Sequence, residues 1–155
     1  MKKKKYTEKL SDKEIRTLLA EMREIDKEAS VLREKAEALK VELKYNQELE
    51  REIRKLESKS QRIKAELINA HFDLINGCVG QIIKKHGMKE PNADGTIVSV
   101  APRGFEEEDL KSEGLIAFQH FLKNFDISKD SKFRDTAYWT IEKHVLKSIG
   151  RSSVQ

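Results

Sequence analysis

A chain of 155 residues in which charged side chains are as frequent as hydrophobic ones, 37% each, has too little apolar material for one large core. The formal net charge of +4 and the pI of about 9.0 favour a polyanionic partner without requiring one. A single cysteine, Cys78, excludes a disulfide framework and suits a reducing, cytoplasmic setting, and no apolar run of ~18 residues offers a membrane span.

The first ten residues are read as a basic tail, and the start MKKKKYTEKLSD lacks the apolar run of a signal peptide. Ser11-Asp-Lys-Glu14 then forms a capping-box sequence, and neither Gly nor Pro occurs from there to Asn76. Ile15, Leu18, Met22, Ile25, Ala29, Leu32, Ala36, Leu39 and Leu43 repeat by threes and fours, the seam of a coiled coil. A second seam follows through Leu49, Ile53, Leu56, Ser60, Ile63, Leu67, Ala70 and Leu74. The step from Leu43 to Leu49 is one residue short of a heptad. Either the helix runs on through a stammer, or it turns at Lys44-Tyr-Asn-Gln47 into an antiparallel hairpin. The absence of a turn glycine tilts the expectation toward one continuous helix over residues 11–65.

A helical domain is expected over residues 66–150. Its first helix is read from ELINAHFDLINGCVGQIIKKHG, where Gly77 and Gly80 would allow close packing or a kink and Gly87 would cap the end. Residues 88–105 hold both prolines and the turn sequence Asn-Ala-Asp-Gly, so they read as a long loop with a short strand at Thr96–Val100. Glu106-Glu-Glu-Asp109 opens a second helix with acids at the positive end of its dipole, and its stripe is Leu110, Ala117, Phe118, Phe121, Leu122 and Phe125. After a turn at Asp126–Ser131, a last helix runs from about Phe133 to Ile149 on the stripe Ala137, Ile141, Val145 and Ile149, and residues 151–155 form a tail. The fold class expected is all-α: a long coiled-coil helix, or a helical hairpin, followed by a compact three-helix domain.

Tyr138 and Trp139, the latter the only tryptophan, lie in this last helix. Successive fourth residues drift by roughly 40° around a helix, so Trp139, Lys143 and Lys147 share one stripe away from the apolar one. Lys132 and Arg134 lie at the helix start and Arg151 beyond its end. An aromatic platform beside cations suits single-stranded nucleic acid, where a stacked base is worth about 1–3 kcal/mol. The plainer reading is an ordinary packing aromatic on an amphipathic helix with solvated lysines.

Residues 109–149, DLKSEGLIAFQHFLKNFDISKDSKFRDTAYWTIEKHVLKSI, resemble region 2 of the sigma-70 family of bacterial RNA polymerase sigma factors. The family pattern runs DL-x-x-EG-x-I-G-L, then KFD, then KF-S-T-Y-A-x-W-W-I-R-x-x-I. It is met here by Asp109, Leu110, Glu113, Gly114 and Ile116, then Phe125 and Asp126, then Lys132, Phe133, Ala137, Trp139, Ile141 and Ile149. With the helix before it, the likeness covers about residues 66–150.

The resemblance implies that the helix from Asp109 docks on the β′ clamp helices of core RNA polymerase through Asp109, Ser112, Glu113, Leu115 and Gln119. It implies that the last helix faces promoter DNA at the −10 element through Lys132, Phe133, Arg134, Tyr138 and Trp139, with Lys143 and Leu146 reading base pairs and Lys147 and Arg151 meeting phosphates. The chain departs from the pattern at Thr136 and Thr140, where the family has aromatic rings, and at Glu142, where it has arginine. Ser112 and Leu115 replace polar family residues on the docking helix. On this resemblance the chain is expected to lack a −35-reading domain, like the phage late-transcription sigma factors that it also resembles, and to take a co-activator or second sigma subunit on the N-terminal coiled coil.

His71, His86, His120 and His144 lack ligand spacing, and no phosphate loop or nucleophile motif is present. The sequence therefore predicts no enzyme activity, cofactor, metal or membrane partner. Its alternatives to a sigma-like subunit are a polymerase-binding regulator or inhibitor without promoter recognition, and a coiled-coil interaction protein.

Overall fold

A computed structural model describes residues 10–41 and 47–150. The chain is all-α apart from one small β-hairpin: five helices and two strands among the described residues, in two compact units divided between Asn69 and Ala70.

The first unit is a pair of helices, α1 (Asp12–Val41) and α2 (Gln47–Asn69). Ser11 caps α1, its Oγ accepting the amide of Glu14 at 3.1 Å, and Arg16 pairs with Asp12 at 2.7 Å across the first turn. The two helices pack antiparallel: Ser60 of α2 donates to the carboxylate of Asp26, and Glu57, one turn earlier, pairs with Arg33, two turns later in α1. The continuous helix expected over residues 11–65 is thus corrected to the hairpin alternative. Its turn falls, up to Asn46, outside the described residues. The slip between the two seams is the physical reason: Ile15, Met22, Ile25 and Ala29 on α1, and Leu49, Ile53, Ser60, Ile63 and Leu67 on α2, are all buried. Two seams out of register by one residue both find cover when the chain folds back on itself. Leu32, Ala36 and Leu39, nearer the turn, are only half-buried.

The second unit opens with α3 (Phe72–His86). The expected helix from Glu66 is therefore two: Glu66–Asn69 complete α2, a turn follows at residues 70–71, and α3 starts afresh. Gly87 ends α3, its amide donating to the Ile83 carbonyl at 2.8 Å. Its φ of −75° would suit any residue, so space decides. A β-carbon there would collide with the carbonyl oxygens of Val100 and Ile83.

The expected loop at residues 88–105 contains a hairpin. Strand β1 (Met88–Pro91) pairs antiparallel with β2 (Ile97–Val100), Met88 opposite Val100 and Pro91 opposite Ile97. The turn chemistry closes it: Gly95 adopts φ +85°, and Asp94 accepts the amide of Thr96 at 3.0 Å. That bond holds the Asp94 carboxyl below its ordinary range.

Helix α4 (Glu107–Asn124) begins at a capping box in which Glu106 caps the backbone of Asp109 and the Asp109 carboxylate accepts the amide of Glu106 at 3.0 Å. Its whole expected stripe, Leu110, Ala117, Phe118, Phe121, Leu122 and Phe125, is buried. Helix α5 (Phe133–Ser148) packs against α3 and α4. The rings of Phe118, Phe121, Phe125, Phe133 and His71 stand 5.0 to 6.4 Å apart at the centre of the three helices. The rings meet at tilted and edge-on angles, the arrangements aromatic quadrupoles favour. Gly114 lets α4 approach closely: a β-carbon there would meet Ile75 at 3.0 Å, Ile141 at 3.5 Å and Val79 at 3.6 Å. Gly77 and Gly80, expected to serve this purpose, have open space before them, and α3 runs through both without a break.

Candidate nucleic-acid and partner interface

Ala137, Ile141 and Val145 turn one face of α5 into the core, and that orientation fixes what the other face presents. Trp139 is 59% exposed, an unusual position for the largest apolar side chain of a small domain. Lys143, one turn on, sets its Nζ 5.2 Å from the centre of the indole ring. Lys132 and Lys147 are also exposed. The result is an aromatic plate with a cation over it and further cations at both ends of the helix, able to stack a planar ring and neutralise anions beside it.

Other residues of the expected DNA-facing set are placed differently. Phe133 is 1% exposed within the ring cluster, and Leu146 is 4% exposed. Both are corrected from surface contacts to packing residues, since burying an apolar side chain is favourable and a buried side chain cannot reach a base. Arg134 is half-buried and bound to Asp73 of α3 at 3.2 Å. Tyr138 is half-buried beside Cys78 and Glu142; burial, then those two groups, raises its hydroxyl pKa. It does not stand in the open with Trp139. Arg151 lies outside the described residues.

The departures from the family pattern have local consequences. Thr136 and Thr140 donate their hydroxyls to the carbonyls of Lys132 and Thr136, each at 2.8 Å. The positions where rings were expected thus carry short side chains bound back to their own helix. Glu142 is half-buried, close enough to Cys78 and Tyr138 to raise the pKa of both.

On α4, the five residues of the expected docking set do not act alike. Asp109 is exposed but serves the capping box, and the Ser112 hydroxyl donates to the Glu108 carbonyl at 2.9 Å. Glu113 reaches His144 of α5 at 2.8 Å. Leu115 and Gln119 are half-buried. Ile116 is 43% exposed, a surface apolar group that the apolar stripe alone did not single out.

A second surface was not legible in the sequence. Gly80, Ile83, Met88, Ile97 and Phe105 line a concavity between α3 and the β-hairpin, and Lys84, Glu90, Glu106 and Glu107 also belong to its lining. Its only sequence signal was the apolar run IVSV, because MKEP has neither the alternation nor the β-branched residues of a strand.

Among the described residues no His, Cys, Asp and Glu side chains group as a metal site, and no helix is long and apolar enough to cross a membrane. Compared with protein-family models and with curated proteins, the chain matches none.

Proposed function

We propose that this chain is a sigma factor-like transcription initiation subunit, which binds core RNA polymerase through α4 and helps open a −10-type promoter element through α5. The observation that carries the reading is the exposed Trp139 with Lys143 over its ring, on the helix whose sequence resembles the promoter-melting segment of the sigma-70 family. A solvent-facing tryptophan contributes little to folding, so its placement is better accounted for by a ligand with a planar face. Lys132 and Lys147 supply the charge that a phosphate backbone requires. Phe133 and Leu146 take no part in contact; they hold α5 in place.

A second reading is favoured by a specific set of residues: a polymerase-binding regulator that docks without recognising a promoter. Thr136 and Thr140 offer no ring, and Glu142 places a carboxylate where the family has a cation.

One experiment separates the two. Core polymerase mixed with the chain is probed for promoter-dependent strand opening with a base-sensitive fluorophore. The sigma-like reading expects opening that is lost in Trp139→Ala/Lys143→Ala. Opening retained in that variant overturns the role of α5. Core binding without opening establishes the regulator, and no core binding excludes both.

A further inference from the structure

The two helices of the hairpin turn different surfaces to solvent. Opposite its buried seam, α1 carries charges of both signs, with exposed Lys13, Glu34 and Lys35 interspersed with Ala20 and Ala38. The corresponding ridge of α2 holds Arg51, Arg54, Lys55 and Arg62, all exposed, with Ser58 and Ala65 between and beyond them and no carboxylate. The helical period accounts for this, because these positions fall within roughly 60° of the direction opposite Leu49, Ile53, Ser60 and Leu67. Arg54 makes a loose contact with Glu50 at 3.9 Å, on the flank of the ridge. Lys59 borders a groove with Glu21, Glu24 and Glu28 of α1, so it belongs to the edge and not to the ridge.

Like charges one helical turn apart repel; the carboxylates of α2 nearest the ridge, Glu48, Glu50, Glu52 and Glu66, lie on its flanks and not along its crest. We propose that the outer ridge of α2 is a docking surface for the phosphate backbone of duplex DNA. Three features select this occupant. The ridge has cations and no aromatic side chain, so it can neutralise phosphates but cannot stack unpaired bases, which separates it from α5. It runs about 17 Å along the helix axis from Arg51 to Arg62. Duplex DNA presents one negative charge per ~1.7 Å of its axis, a density far above that of an ordinary mixed-charge protein surface. The proposal rests on the promoter-opening reading for its biological role, where it would supply a second, sequence-independent hold on the template. Its chemistry stands without that reading.

The test uses the full chain and a promoter-free duplex of random sequence, with affinity measured by fluorescence anisotropy over a range of salt concentrations. The ridge variant is Arg51→Gln/Arg54→Gln/Lys55→Gln/Arg62→Gln. The control, Lys13→Gln/Lys27→Gln/Lys35→Gln/Lys40→Gln, removes the same four charges from α1. Glutamine preserves helix propensity in both. The slope of log K against log salt should become shallower by about 3–4 in the ridge variant, since each phosphate contact contributes roughly 0.9, and should hold in the control. Equal losses in both variants would reduce the effect to net charge and overturn the proposal, as would an unchanged slope in the ridge variant. A ridge variant that keeps its DNA slope but no longer binds core polymerase would assign the ridge to an acidic protein face, again overturning it. Promoter opening by the Trp139→Ala/Lys143→Ala variant is read separately, so failure of the α5 reading leaves this slope measurement intact.

Discussion

Glu113 of α4 and His144 of α5 are joined through Oε2 and Nε2 at 2.8 Å, so the helix read as facing polymerase and the helix read as facing DNA share a side-chain link. Both side chains are about two-fifths exposed, 40% and 38%, which limits what the pair adds to folding to ~1 kcal/mol or less. His144→Ala should therefore shift the urea midpoint only slightly. The docking assignment adds a second expectation. Glu113→Lys should lower affinity for core polymerase about tenfold or more, whereas His144→Ala, which frees the carboxylate, should leave that affinity unchanged or raise it. If both variants weaken binding equally, Glu113 acts through the shape of the α4–α5 contact and not as a contact residue.

The residues of α5 fall into two classes that mutation should separate. Trp139→Ala removes an exposed ring, so its folding cost should stay within about 0.5 kcal/mol. Loss of a stacked base should weaken single-stranded DNA binding by about 1–3 kcal/mol, roughly a 5- to 150-fold rise in Kd. Phe133→Ala and Leu146→Ala should do the opposite, costing about 3–5 and 2–5 kcal/mol of stability because each empties a packed site. Chemical denaturation alongside anisotropy with an unpaired oligonucleotide reads both effects. A Trp139→Ala protein as destabilised as Phe133→Ala would mean that the indole is a packing group.

That division also marks how far the sequence could be read. The apolar stripes of α4 and α5 were largely legible because burial follows the helical period: the six stripe residues of α4 are inside, as are Ala137, Ile141 and Val145 of α5, while Ile149, past the helix end, is half-buried. The class of fold followed from the same signal. The direction of the N-terminal helix did not, because its turn lacks the glycine that usually announces one, and the register slip alone fits two geometries. Strand β1 was hidden in MKEP, whose pairing comes from IVSV across the turn and not from its own propensity. At the candidate site, resemblance carried roles by position but could not carry burial. Trp139 and Lys143 face outward as helical geometry required, while Phe133 and Leu146 occupy family contact positions and are buried.

Glycines make the same point with opposite signs. Gly114→Ala should destabilise, because its β-carbon would stand 3.0 Å from Ile75 Cγ2 in a contact flanked by Ile141 and Val79. Overpacking of about 1–3 kcal/mol outweighs the gain in helix propensity of up to ~1 kcal/mol. Gly77→Ala meets no atom within 4 Å and should stabilise α3 by about 0.5–1 kcal/mol. Thermal melts of the two variants should move in opposite directions by a few degrees. Two shifts of the same sign would contradict the close approach of α4 to its neighbours.

Cys78 gives the chain an alkaline sensitivity. The thiol is fully buried, its Sγ 3.8 Å from the Tyr138 carbonyl, and burial first, then the nearby charge of Glu142, pushes its pKa up to about 12 from 9.0. The folded protein therefore keeps this proton while the unfolded chain loses it, so stability contributed by the neutral thiol is complete below pH 9.0 and declines between there and about 12. One proton limits the decline to ~1.4 kcal/mol per pH unit. Cys78→Ala should flatten that part of the stability profile, even though the cavity lowers stability at every pH. The thiolate is also the reactive form, so a thiol reagent at pH 8 should label Cys78 only as fast as the protein opens, and adding urea should speed labelling in step with unfolding. Rapid labelling without urea, together with an unaltered alkaline profile in Cys78→Ala, would place the thiol at the surface and contradict the packing of α3 on α5.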